Sequence, residues 1–309
     1  MSKFDFTELV GDLQKSMGKD ERRAKQFGLG NSLTSVGDNP EDFVVLPGWF
    51  KQAYGVLGLP FGKWTQVSGN PDSGKTSLSL LSIKCAQEQG YAVVYIETEG
   101  KTTSEDFRRE GIDPKGVLTV STAITEEVFD GVNKSLDAIL DSHPDAKVLL
   151  VIDSYGNTTS LRDKELDQTA GKGSLVGGAA KSNRLGLGAI AARQRESSIA
   201  VLIVNYAYAN IGTVGSTNAG GKALEFFCSL IINASRAAWY TRTVKGVKVR
   251  AGADVLWRTV KNHYNKSLKD ENGEDLLLQD RFKMRISSDG MKPLDLANWP
   301  PGEATKKED

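Results

Sequence analysis

The chain has 309 residues, of which 39% are hydrophobic and 25% charged, the proportions of an ordinary soluble globular protein. Thirty-nine basic residues cancel thirty-nine acidic ones, so net charge gives no argument for a nucleic-acid partner, and any such surface has to be a local patch. No apolar run is long enough to span a membrane and no signal peptide opens the chain, so the expected location is cytoplasmic.

This length fits one large domain, or one domain with appendages. The two cysteines, Cys85 and Cys228, sit far apart in apolar settings. They are expected to be buried free thiols in a reducing compartment.

At the N-terminus, Phe6, Leu9, Val10, Leu13 and Met17 form a helical stripe. A lone helix with one apolar face must bury it, either on its own domain or on a neighbouring copy. Residues 18–42 are rich in Gly, Asp, Asn, Lys and Arg and read as linker and turns ending at Asn39-Pro40. A short strand is expected over 43–46 and another over 64–68. From there apolar strands alternate with helices: strands at 91–96, 117–120, 148–152 and 199–204, helices at 105–110, 126–141 and 183–196. Near-continuously apolar strands alternating with helices predict a parallel sheet covered on both faces. After about residue 228 the helices stop. Strands at 230–234, 239–244, 247–250, 255–260 and 281–286, with short turns such as Lys245-Gly246, predict antiparallel hairpins on the sheet edge. Residues 296–309 are Pro-rich, then charged, and read as a disordered tail.

The stretch GNPDSGKT carries the strongest signal: Gly69, Asn70, Pro71, Asp72, Ser73, Gly74, Lys75 and Thr76, with Ser77 following. It matches the phosphate-loop pattern of a glycine, four residues, then Gly-Lys-Thr. Phosphates need several N–H donors aimed at one point, and glycines leave room for that approach. The following helix adds the positive end of its dipole. Lys75 is expected to reach the β- and γ-phosphates of a nucleotide, and the Thr76 hydroxyl to ligate Mg²⁺. A strand before the loop and a helix after it, with Leu78, Leu81 and Cys85 at helical spacing and a stop at Gly90, supply the context the motif needs.

Asp153 follows five apolar residues at a strand's carboxyl end, the edge where open α/β sheets bind ligands. It is expected to hold Mg²⁺, or its water, beside Thr76. Glu97 and Glu99 close another strand in IETEG. Two residues apart in a strand, they are expected on one face. One of them should orient the attacking water, and spacing does not choose between them.

Two long polar, Gly-rich segments, about 154–182 and 206–221, each follow a strand's carboxyl end. Such lengths are uncommon unless functional or disordered. The first carries Arg162, Lys164, Lys172 and Lys181; the second carries Tyr206, Tyr208, Asn210 and Ile211 and exits through Gly220 and Gly221. Cations for phosphates and aromatic or apolar groups for bases are the ingredients of single-strand binding; lids over a small substrate are the competing reading. Lys261 and His263 close a late strand in VKNHYNK and are expected to share a face.

Taken in order, these segments resemble the RecA family of ATP-dependent strand-exchange recombinases, including its phage UvsX-like branch, from about residue 1 to 295. FGKWTQVSGNPDSGKT is similar to the family's strand and phosphate loop, VLLVIDSYGN to its Walker B strand, and NAGGKALEFF to the exit of its second DNA-binding loop. IETEGKTTSEDFRREGID resembles the catalytic-glutamate segment, which places that glutamate at Glu99. TVKNHYNK resembles the segment that reaches ATP across the interface between protomers, which gives Lys261 and His263 a role in trans. The N-terminal helix resembles the element by which one protomer docks on the next.

The resemblance implies an α/β RecA-like P-loop ATPase core over 43–295, with a mostly parallel sheet, antiparallel C-terminal strands at its edge, and a short oligomerisation helix with its linker over 1–42. It implies ATP and Mg²⁺ as cofactors and a DNA-dependent ATPase as activity. Its partners would be single-stranded DNA and then homologous double-stranded DNA, with mediator and single-strand-binding proteins and further copies in a helical filament or ring. Four departures stand out. Tyr206 occupies the place of a γ-phosphate-sensing glutamine or histidine, Asp106 that of an adenine-stacking aromatic, and His263 that of one of two interface lysines. A RecA-type C-terminal domain is expected to be missing. Three other readings share the core: a paralogue or mediator that binds ATP and partner proteins, a hexameric helicase motor, and a signalling ATPase that binds no DNA.

Overall fold

In the computed structural model, residues 7–17, 39–161, 178–195, 197–209, 216–218, 223–264 and 280–296 are described. The chain divides into two compact units, residues 1–39 and 40–309. In the first, helix α1 spans Thr7–Ser16 and none of its residues is buried.

The second unit is built on a ten-stranded sheet. Five of its parallel strands are β3 (Trp64–Gly69), β4 (Ala92–Glu97), β5 (Val117–Ser121), β6 (Val148–Asp153) and β7 (Ile199–Ala209). They lie in the order β3-β7-β6-β4-β5. This order is the consequence of apolar strands linked by helices: α3 (Lys75–Glu88), α4 (Ser104–Arg109), α5 (Thr125–Ser142) and α6 (Gly178–Gln194). Every residue of β3 and β6 is buried. The core on one face packs Val128, Val132 and Leu136 of α5 and Leu187 and Ile190 of α6 against Val94, Leu150 and Ile203. Gly186 is part of that fit, because a Cβ there would lie 2.1 Å from the Phe129 ring.

Strand β9 (Cys228–Val244) continues the parallel set beside β3, with Gly69 opposite Ala234. β10 (Val247–Asn262), β11 (Arg281–Ser287) and β12 (Gly290–Pro293) then add antiparallel, as expected. The turn falls at Lys245-Gly246, both with positive φ. The mostly parallel α/β core with antiparallel C-terminal strands is therefore the observed fold.

Several boundaries differ. Strands expected as pairs at 230–234 and 239–244, and at 247–250 and 255–260, are single long strands with β-bulges in their pairing. Bulges absorb the irregular residues that read as breaks. The helix expected over 183–196 begins at Gly178 and ends at Gln194, so it takes in the last part of the first polar segment. The second polar segment is not wholly loop. β7 runs on to Ala209, and β8 (Ser216–Asn218) pairs back with Ala207–Ala209. Ahead of β3 stand β1 (Phe43–Val45), a short helix α2 (Trp49–Tyr54) and β2 (Gly58–Pro60), which pairs antiparallel with β1. Cys228 is buried and Cys85 only partly, and both are free thiols. Among the described residues, no helix is long and apolar enough to cross a membrane.

Candidate nucleotide site

Three strands, β3, β6 and β4, stop at one carboxyl edge, where β7 leaves the parallel sheet. Gly69 stands opposite Tyr206, and Glu97 opposite Asp153. Parallel register thus brings together residues far apart in sequence.

The phosphate loop leaves β3 at Gly69, with φ +153°, and enters α3 through Gly74, with φ +83°. A Cβ on Gly69 would lie 1.8 Å from the Ala234 carbonyl oxygen, and one on Gly74 1.9 Å from Ile286 Cδ1. Conformation and space both require glycine there. Inside the loop, Ser73 Oγ donates to the Asn70 carbonyl at 2.7 Å, and Trp257 Nε1 to the Ser73 carbonyl at 3.4 Å. Asp72 points outward and pairs with Arg236 at 2.9 Å. Lys75 is buried and donates to the Asn70 carbonyl at 2.7 Å. Burial lowers its pKa, against the opposing charges of Asp153, Glu99 and Asp72.

Asp153 ends β6 with its carboxylate buried. Burial pushes it up to about 6, the Thr76 hydroxyl pulls down through a hydrogen bond, and the Glu99 charge pushes up again. Among the described residues, its Oδ2 has no hydrogen-bond partner. A buried acceptor left unsatisfied is costly. This orphan oxygen beside Thr76 therefore fits a hard cation such as Mg²⁺, which takes one or two protein oxygens and fills the rest of its shell with phosphates and water.

The two glutamates part company. β4 ends at Glu97, so Glu99 lies beyond the strand and the shared face expected of the pair does not form. The Glu97 carboxylate accepts the backbone N–H groups of Glu99, Gly100 and Lys101 at 3.2, 2.6 and 3.1 Å. It shapes the turn. The Glu99 carboxylate faces the site instead, bonded by Ser154 Oγ at 2.7 Å, by the Tyr206 hydroxyl and by Lys101. Partial burial raises its pKa, and the bonds from Lys101, Tyr206 and Ser154 outweigh that and hold it below the ordinary value. The Tyr206 ring also lies 5.0 Å from Lys75 Nζ, in cation–π range.

A cleft of about 280 Å³ runs from Thr76 and Ser77 past Glu99 and Asp153 to Asp106 and Arg109. Asp106 is occupied as the reciprocal partner in the Thr103 capping box and by Arg109. Its position on α4 is set by that cap.

Lys261 is not brought to this loop. It pairs with Ile231 on β9, toward the amino end of the sheet, and its Nζ donates to the Glu225 carbonyl at 2.7 Å. His263 lies past the end of β10, so it does not share a strand face with Lys261; its N–H donates to the Ser229 carbonyl at 2.9 Å. Of the expected DNA-contacting residues, Arg162, Lys164, Lys172, Asn210, Ile211, Gly220 and Gly221 lie outside the described residues, as do residues 297–309. Lys181 falls in α6 and Tyr208 in β7. Sequence reasoning missed Ser154 and Lys101, each adjacent to or two residues from a named carboxylate. It also missed Trp257, Ile286 and Arg236, for which no local signal exists.

Loop, buried cation-ready carboxylate and parallel edge define a P-loop nucleotide-binding core. Residues 21–279 match the RecA N-terminal domain, and the chain belongs to that family. It is 29% identical over 262 residues to the protein RecA of Sulfurovum sp. (strain NBC37-1), covering 81% of this chain and 72% of that protein. It is 27% identical over 245 residues to the protein RecA of Oleidesulfovibrio alaskensis (77% of this chain, 66% of that one). With the protein RecA of Malacoplasma penetrans the figure is 27% over 207 residues, 66% and 57%. The matches thus span 57% to 72% of these relatives' lengths.

Proposed function

We propose that this chain is an ATP-driven recombination protein that polymerises on single-stranded DNA and pairs and exchanges it with homologous duplex. The observation that carries the reading is the meeting of Lys75, Thr76, Asp153 and Glu99 at one sheet edge, in a chain of the RecA family. The DSYGN turn after β6 supports the phage-type branch.

In this reading the loop from Gly69 to Thr76 binds the triphosphate through its N–H groups and Lys75. Asp153 Oδ2 and the Thr76 hydroxyl hold Mg²⁺, whose contribution is neutralisation of phosphate charge. Glu99 orients water for in-line attack on the γ-phosphorus: the new P–O bond forms, the bond to the β-phosphate bridging oxygen breaks, and ADP and phosphate leave. Lys261, with His263, serves the site of the next protomer; in its own chain its Nζ is bonded to the Glu225 carbonyl. The polar segments after β6 and β7 contact DNA, largely through its backbone, so binding weakens with salt.

The test is ATP hydrolysis with and without single-stranded DNA, with electron microscopy of the same mixtures. DNA-stimulated turnover and helical filaments are expected. DNA-independent turnover without filaments sinks the reading. Glu99→Gln is expected to lower the stimulated kcat by about a hundredfold or more while nucleotide still binds; normal hydrolysis would show that another group orients the water.

A further inference from the structure

Both oxygens of the Glu99 carboxylate are engaged: Oε1 by Ser154 and Tyr206, Oε2 by Lys101. A carboxylate oxygen accepts about two hydrogen bonds, so Oε1 is filled while Oε2 keeps one site, and for water to reach Oε1 one of its two bonds has to open. Ser154 is poorly suited to leave. It is fully buried, its N–H donates to Thr98 Oγ1 at 2.9 Å, and its carbonyl accepts from the same hydroxyl at 2.8 Å. Lys101 is exposed, and its departure would free only Oε2.

Tyr206 is placed differently. The pairing of β7 with β6 ends at Ile203, and its pairing with β3 ends at Tyr206 itself. From Ala207 to Ala209 the strand pairs, among the described residues, with β8 alone. The residue therefore stands where β7 leaves the parallel sheet, and any displacement of Ala207–Ala209 acts on it directly. Burial, followed by the bond to Glu99, pushes the phenol's pKa up, so it stays a donor at neutral pH.

We propose that Tyr206 is a positioning residue that latches Glu99. With no DNA bound, its hydroxyl occupies Oε1 and keeps water from that oxygen, and displacement of the end of β7 releases it. This rests on the reading of Glu99 given above. It is opposite in sign to a plain γ-phosphate-sensing role, for which losing the hydroxyl would lower turnover.

The experiment is steady-state ATP hydrolysis by the full chain and by Tyr206→Phe, with and without single-stranded DNA, alongside equilibrium binding of a fluorescent ATP analogue. The latch predicts a DNA-free kcat raised about three- to thirtyfold, nucleotide affinity within about threefold, and a smaller stimulation ratio. A folded variant whose DNA-free kcat is unchanged or lower overturns the proposal. Should Tyr206→Phe fail to fold, Tyr206→Met also removes the hydroxyl, and the same outcomes apply. Adding Glu99→Gln to Tyr206→Phe must abolish the gain; a gain that survives also overturns the latch. Failure of the underlying reading looks different: the wild-type chain itself shows no DNA-stimulated hydrolysis, or Glu99→Gln alone hydrolyses normally.

Discussion

The two halves of the large sheet do different work. In the parallel half, side chains that carry chemistry sit where strands stop, and Gly69, Tyr206, Asp153 and Glu97 share one edge. The C-terminal half, β9 and the antiparallel strands that follow it, brings none of the proposed catalytic groups to that edge, yet it holds the phosphate loop in place. Trp257 of β10 bonds the Ser73 carbonyl, Ile286 of β11 fills the space beside Gly74, and Ala234 of β9 closes on Gly69. Toward their common turn, β9 and β10 become exposed. There Trp239 lies 4.2 Å from the Arg236 guanidinium and 3.5 Å from that of Arg250, and Tyr240 lies 3.9 Å from that of Arg285. Cation–π contacts of this kind stabilise aromatic groups that have no core to enter. A binding loop therefore depends on neighbours that its own motif does not contain.

The sharpest way to break this comparison is to place a Cβ in each half. Gly69→Ala forces a Cβ onto the Ala234 carbonyl, backbone against backbone. Urea denaturation is expected to show a loss of about 3–5 kcal/mol, or no folded protein at all. Gly246→Ala, at φ +78° with open space around it, is the internal control, and about 1 kcal/mol is expected there. Similar losses at both positions would mean that the contact between β9 and the loop is not tight.

Asp153→Asn addresses the buried charge. The folded chain holds the Asp153 proton up to about pH 6, against the 3.8 ordinary for an aspartate. Between those values the folded state binds more protons than the unfolded one, so this contribution to stability falls as pH rises through the window. The asparagine variant lacks that loss. Without Mg²⁺ it is expected to be more stable than wild type by about 2–3 kcal/mol above pH 6, the gap closing toward pH 4. Thermal melting at both pH values checks this; a less stable variant at pH 8 would mean that Lys75 and Thr76 fully compensate the carboxylate.

The smallest effect is expected at the link between the hairpin and the loop. Arg236 and Asp72 are both well exposed, and exposed pairs contribute about 0–1 kcal/mol. Arg236→Ala, which also removes the contact with Trp239, should change stability by about 1 kcal/mol or less and ATP affinity by less than about twofold. A tenfold loss of affinity would reveal a coupling that the exposed geometry does not explain.

Much of this was local and therefore legible. The loop from Gly69 to Thr76, the apolar run that ends on Asp153, and the alternation of strand and helix each follow from neighbouring residues, because spacing sets the face and glycine sets the turn. Their order implies the parallel sheet, since apolar strands alternating with helices bury both faces only that way. Tertiary structure decided what spacing left open. Where β4 stops separated Glu97, spent on three backbone N–H groups, from Glu99, aimed at Ser154 and Tyr206. The register that sets Trp257 against the loop rests on contacts across more than a hundred residues, and the bulges that carry β9 and β10 through their irregular residues are set by how those two strands pair along their whole length. No local pattern encodes such pairings, because they are selected by how well distant side chains pack.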